Sequence, residues 1–316
     1  MKKNILLVII LLLSAIAYCQ EAANQVKTLR VLMIGNSFSQ SVLHYLPTIA
    51  KSDPSVKLII RNAYIGGCSI QRHLKEYDTS AKNPEHRPYA TNLPIDGIKG
   101  NKVSLQECLK ADQYDIVSIQ QASRDSWKAD TYVADADRLI AIVREYQPKT
   151  EIVGHQTWAY RADSKAILPG GSFKMTQLEM HNQITDCYKA LAKKHSFRII
   201  PVGNAVQIFR SKTPNPYTAA DVPKVAPTYT YPELPPRPND VVGNTSWHKD
   251  KTTGEFKLRN DPNHLNQRGD YLQACVWYMF LFGKKAQDVK FIPQEIDKAD
   301  AEFLAKCAEE AIQSWR

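Results

Sequence analysis

No C-x-x-C pair and no grouping of cysteine with histidine at zinc-ligand spacing occurs anywhere in the 316 residues, so a structural metal site is not expected. The six cysteines, Cys19, Cys68, Cys108, Cys187, Cys275 and Cys307, stand far apart, and their spacings identify no disulfide pair. They are expected to be mostly buried, small apolar thiols. No long stretch is purely polar, which excludes disorder for most of the chain. No apolar run reaches the roughly 20 residues that a membrane-spanning helix needs. Lys+Arg outnumber Asp+Glu by 41 to 32, yet the surplus is scattered, so nucleic acid is not an expected partner. No internal repeat is present.

What is there begins with a leader pattern. Met1, Lys2 and Lys3 form a short basic start, followed by an apolar run from Ile5 to Leu13 that continues to Ala17. A positive segment, an apolar segment and then small residues make a secretory signal peptide, over about residues 1–19. Ala15-Ile16-Ala17 suits cleavage before Tyr18, with a cut after Cys19 as an alternative. Lipid attachment at Cys19 is less expected, because Tyr18 is bulky where a small residue is needed. Losing Lys2 and Lys3 takes the formal charge from +9 to +7. The expectation is export to the periplasm or beyond, without a transmembrane span in the mature protein. With 43% hydrophobic and 23% charged residues, the full chain has the balance of a globular protein large enough to bury a core.

From Leu29 onward, short apolar runs alternate with amphipathic ones. Arg30 to Ile34, Lys57 to Tyr64, Asp115 to Ile119, Glu151 to Gly154 and Arg198 to Val202 read as strands covered on both faces of a parallel sheet. Helical spacing appears in Val42, Leu43, Leu46 and Ile49, again in Ala134, Leu139, Ile142 and Val143, and over Met175 to Lys194. Tyr271 to Phe282 and Pro293 to Trp315 read as two closing helices. This alternation predicts an α/β domain with right-handed crossovers, one unit over 28–316. Two segments interrupt it. Asp78 to Gly100 reads as a surface loop. The stretch 212–251 reads as a proline-rich insertion, with eight of the 18 prolines between Pro214 and Pro238.

Two short blocks at opposite ends carry the chemistry. Gly35-Asn36-Ser37-Phe38-Ser39 joins the first strand to a helical pattern. A serine there is exposed at the carboxyl edge of the sheet, beside free helix N–H groups that favour developing negative charge. The same serine can equally cap the helix. Near the other end stands Asp261-Pro262-Asn263-His264-Leu265-Asn266-Gln267-Arg268-Gly269. An aspartate three residues before a histidine can hold Nδ1–H while Nε2 faces outward, as a general base requires. His155, at the end of the fourth strand, either contacts substrate or is a satisfied structural histidine. Trp158 and Tyr160 either stack on a sugar ring or pack in the core.

Together these blocks resemble those of the SGNH/GDSL-type hydrolases, over Leu29 to about Phe282. The first block departs from the family's G-D-S at Asn36, while Asp261 and His264 match its late D-x-x-H block. The resemblance implies a flavodoxin-like three-layer sandwich with a five-stranded parallel sheet. It also implies Ser37 as nucleophile, His264 as base and then acid, and Asp261 as its orienter. Gly67, within Ile65-Gly66-Gly67-Cys68-Ser69, stands at the family's oxyanion glycine. The family's third-block asparagine is missing. Arg124 falls at its position by count, and Gln121 is favoured as the replacement donor for its side-chain amide. The oxyanion hole would then be formed by Ser37, Gly67 and Gln121.

What the resemblance implies is an exported serine esterase that needs neither metal nor organic cofactor. Its expected substrate is a small-molecule or glycan ester, acetyl groups on a carbohydrate first. The alternatives are an inert glycan-binding protein on the same scaffold, or a lipase or thioesterase of the same chemistry.

Overall fold

Strand β1 (Lys27–Gly35) is central because its sequence leaves no polar face: Val31 to Ile34 are all at most 1% exposed. It pairs in parallel with β2 (Val56–Tyr64) on one side and β5 (Ile116–Ile119) on the other. Strand β6 (Glu151–His155) and the short β7 (Ile199–Ile200) continue the sheet in parallel beyond β5. The parallel order is therefore β2-β1-β5-β6-β7, the flavodoxin-like order, with its reversal of direction at β1. The computed structural model describes residues 26–214, 216–217, 229–235 and 239–315. The expected signal peptide and Cys19 lie outside them, as does much of the proline-rich stretch.

The sheet has seven strands rather than the expected five. The short β3 (Tyr89–Ala90) and β4 (Lys102–Val103) add antiparallel pairs at the β2 edge. β3 arises in the segment read as a surface loop and β4 just after it, and two-residue strands carry no periodicity to detect. That segment also begins later than expected. Helix α3 (Ile70–Lys82) runs into it, started by Ser69, whose side chain accepts from the Arg72 amide.

Helices α1 (Ser37–Gln40) and α2 (Val42–Lys51) follow β1, and α4 (Leu105–Lys110) precedes β5 behind a capping box of Ser104 and Glu107. Helix α5 (Val133–Tyr146) leads to β6, and α6 (Gln177–His195) opens on a second capping box, Thr176 with Glu179. Helix α7 (Val202–Lys212) follows β7. The end of the expected insertion contains regular structure after all: β8 (Val242–Lys249) lies within it and pairs with β9 (Phe256–Leu265), just beyond it, in an antiparallel hairpin. Its strands are mostly exposed and polar, so apolar patterning did not mark them. Helix α8 (Gln267–Phe282) is buried at every position from Gly269 onward, and packs against α2, α7 and the final helix α9 (Lys298–Ser314).

All five described cysteines are free and buried. Burial pushes the Cys68, Cys108 and Cys275 thiols up to about 12, which leaves them protonated and unreactive at neutral pH. Among the described residues, no helix is long and apolar enough to cross a membrane.

Because β1 both centres the sheet and delivers the turn at Ser37, packing errors in it are expected to be severe. Leu32→Ala, at a fully buried position, should cost about 2–5 kcal/mol in urea unfolding, within the range of large-to-small core substitutions.

Candidate active site

The turn after β1 is built on one buried amide. Asn36 is 2% exposed, and its Oδ1 caps α1 by accepting from the Phe38 amide at 3.0 Å. Its Nδ2 donates to the Cys68 carbonyl at 3.0 Å and reaches the Gln121 carbonyl at 3.5 Å. One side chain thus ties the turns after β1, β2 and β5 together. An ionised aspartate here could form the cap but neither of the other bonds. Gly35 must be glycine for contact reasons, because a Cβ there would lie 2.5 Å from Ser39 Oγ.

Ser37 Oγ lies 2.8 Å from His264 Nε2, across 227 residues of chain. His264 Nδ1 lies 2.7 Å from Asp261 Oδ2. An ionised carboxylate at that distance assigns the proton to Nδ1 and leaves Nε2 to accept from the serine hydroxyl. Burial pushes the Asp261 carboxyl up. The His264 hydrogen bond and the amides of Asn263 and His264 outweigh it and hold the group at about 2. Asp261 therefore adds stability above the ordinary carboxylate range, and that contribution is lost as pH falls toward 2.

The 261–264 turn is held by the segment after β6. Trp158 Nε1 donates to the Asn263 carbonyl at 2.9 Å, and the Arg161 amide donates to the Pro262 carbonyl at 2.8 Å. Ser164 Oγ donates to Asn263 Oδ1 at 3.2 Å. Arg161, buried and paired with Asp163, also donates to Asn260 Oδ1 at 2.8 Å. Trp158 stacks flat on Phe38, with centroids 3.9 Å apart and planes 3° from parallel, and Phe38 meets the His264 ring edge-on.

These contacts correct several sequence expectations. Trp158 is 1% exposed and Tyr160 5%, with the Tyr160 hydroxyl 2.8 Å from Ser123 Oγ. Both are packing residues, and neither offers a ring face to a sugar. His155 is fully buried, receives hydrogen bonds at Nε2 from Gln273 and Trp277, and is pushed down to about 3 by burial. It is a neutral structural histidine, not a substrate contact. Gln121 is also committed. Its Nε2 donates to the Thr131 carbonyl and hydroxyl, and its Oε1 accepts from the Ile70 and Ala122 amides. No donor remains for an oxyanion. Arg124, at the counted position, is exposed, with Nη2 3.5 Å from the Gly67 carbonyl.

Gly67 has a φ of +59°, a region costly for residues with a Cβ, with open space where a side chain would stand. Neither its amide nor that of Ser37 donates to another described residue. A cleft of about 340 Å³ adjoins Ser37 and His264 between α2 and the start of α8. A second histidine–aspartate pair lines it, with His44 Nδ1 2.7 Å from Asp270 Oδ2. Burial pushes the Asp270 carboxyl up, and the hydrogen bond to Asp270 raises His44. Sequence reading passed over this pair, although Ser37, Ser41 and His44 stand at helical spacing. Among the described residues, no group of three or more His, Cys, Asp or Glu is arranged to hold a metal.

The family model for DUF4886, a domain of unknown function, matches residues 30–216. No curated protein matches the chain. A solved DUF4886 family protein from Bacteroides uniformis is 27% identical with a TM-score of 0.68, covering 91% of this chain and 95% of its own. A proposed SGNH hydrolase from Slackia heliotrinireducens is 18% identical with a TM-score of 0.46, over 81% of this chain and all of its own. A proposed GDSL-like lipase from Parabacteroides merdae is 15% identical with the same score, over 83% and 98%.

Asn36→Asp is expected to destabilise the protein by about 1–3 kcal/mol at neutral pH, because it buries a carboxylate against the Cys68 carbonyl. The new carboxyl would have a raised pKa in the folded state. The deficit should therefore shrink as pH falls and the group takes up a proton, which urea unfolding at a series of pH values would measure.

Proposed function

The chain belongs to the DUF4886 family, and we propose that it is an exported serine ester hydrolase acting on an acyl group, acetyl first, carried by a carbohydrate. The observation that carries the reading is the unbroken hydrogen-bonded line Ser37–His264–Asp261, at 2.8 and 2.7 Å. Ser37 Oγ attacks the ester carbonyl carbon while His264 Nε2 takes its proton. The ionised Asp261 stabilises the imidazolium that results. The free amides of Ser37 and Gly67 hold the oxyanion of the tetrahedral intermediate. His264 then returns the proton to the departing alcohol oxygen, leaving an acyl-serine. Water, deprotonated by the same histidine, releases the carboxylic acid and restores the serine.

The hydrogen-bonded base beside the serine argues against an inert binding module, which has no use for one. Beyond the leader, the sequence carries no long apolar segment that could serve as a lid, which argues against a lipase. The leader pattern supports export, and export supports an extracellular glycan as the carrier of the ester.

Purified wild type, Ser37→Ala and His264→Ala should be compared on p-nitrophenyl acetate and on an acetylated glycan. Each substitution is expected to lower kcat/KM by about 10³-fold or more, since members of a triad act as a unit. Equal residual activity in all three proteins would overturn the reading.

A further inference from the structure

Resting on the ester-hydrolase reading, we propose that His44, fixed by Asp270, recognises the carbohydrate side of the ester by donating from Nε2 to a sugar hydroxyl. Ser37, Ser41 and His44 succeed one another at i, i+4 and i+7, and so lie along one helical face. Residues of that face and of the first turn of α8, which carries Asp270, together line the cleft beside Ser37. A sugar whose ester sits at Ser37 would extend along this wall.

The pair is built to hold an imidazole in one orientation. Nδ1 is tied to Asp270 Oδ2 at 2.7 Å, so Nε2 projects from the opposite side of the ring. No described residue bonds it, and the side chain is more than half exposed. Other polar groups of the cleft are already engaged. Ser41 Oγ donates to Gln273 Oε1, Asn244 Nδ2 donates to the Leu265 carbonyl, and Asn266 holds the Asp240 carbonyl while capping α8.

Asp270 itself is 7% exposed, and its Oδ1 is buried without a partner. A carboxylate left half-satisfied in a wall is costly. The first-turn position on α8 gives a partial reason for an acidic residue. It does not account for an exposed histidine held over the cleft mouth. The arrangement repeats that of Asp261 and His264 on the other side of the nucleophile, with one difference: no serine lies within reach of His44 Nε2. Its partner is left to come from the ligand.

The test uses Ser37→Ala protein, which keeps an acetylated ligand intact, and isothermal calorimetry with an acetylated xylo-oligosaccharide. Adding His44→Phe and Asp270→Asn together removes both members of the pair without stranding a buried carboxylate. Affinity is expected to fall about tenfold, the scale of one hydrogen bond. Asp270→Asn alone, which loosens the ring but keeps it, should give a smaller loss. Equal affinity in all three proteins, or no binding by any, overturns the proposal. With Ser37 restored, the double variant should lose at least tenfold more kcat/KM on the acetylated oligosaccharide than on p-nitrophenyl acetate, mostly through KM. An equal loss on both substrates would mean that His44 merely satisfies the buried Asp270 carboxyl, and also overturns it. Failure of the hydrolase reading is seen separately, as Ser37-independent turnover of p-nitrophenyl acetate by the wild-type scaffold.

Discussion

The flat stack of Trp158 on Phe38 is the contact on which the site depends. Phe38 belongs to the turn that presents Ser37, and Trp158 donates its indole N–H to the carbonyl of Asn263, next to His264. A serine near one end of the chain and a histidine near the other are therefore both held by one aromatic pair. Such stacks contribute about 0.5–1.5 kcal/mol beyond the area they bury. Their larger consequence here is geometric, because two flat rings in contact leave little freedom for the turns attached to them.

Around that contact the polar side chains divide into groups with all their bonds made and groups with one left over. Asn36 and Gln121 use their amides to sew the three turns at the carboxyl edge together. Arg161 and Ser164 do the same for the 261–264 turn. The Ser37 and Gly67 amides and His44 Nε2 donate to no described residue, and the buried Gln120 amide, His155 Nδ1 and Arg161 Nη1 also lack hydrogen-bond partners. Turns tied together in this way are the condition for preorganised electrostatics, since open groups held by them need not reorient when charge develops.

The strand–helix alternation was enough to predict the parallel sheet, because strands buried on both faces must be continuously apolar. The same signal could not reveal β3 and β4, two residues each, or the exposed hairpin β8–β9, whose strands bury little. At the site, residue type and spacing singled out Ser37, Asp261 and His264, which the fold brings into hydrogen-bonding contact. His155, Trp158, Tyr160 and Gln121 were placed near the carboxyl edge, but sequence left the first three open between substrate contact and a structural role and favoured Gln121 as an oxyanion donor, when each is spent on internal bonds. Position along a strand tells which edge a residue occupies. It does not tell whether a neighbour has already taken its hydrogen bonds.

Local order was thus settled by the sequence alone: where the parallel strands run, and which two blocks carry a serine and a histidine–aspartate pair. Those properties depend on residues within a few positions of one another. Only the tertiary structure decided which polar groups are free, that Trp158 is a brace, and that His44 and Asp270 meet across 226 residues beside the nucleophile. Availability for chemistry is what remains after every other partner has been counted, and those partners come from distant parts of the chain.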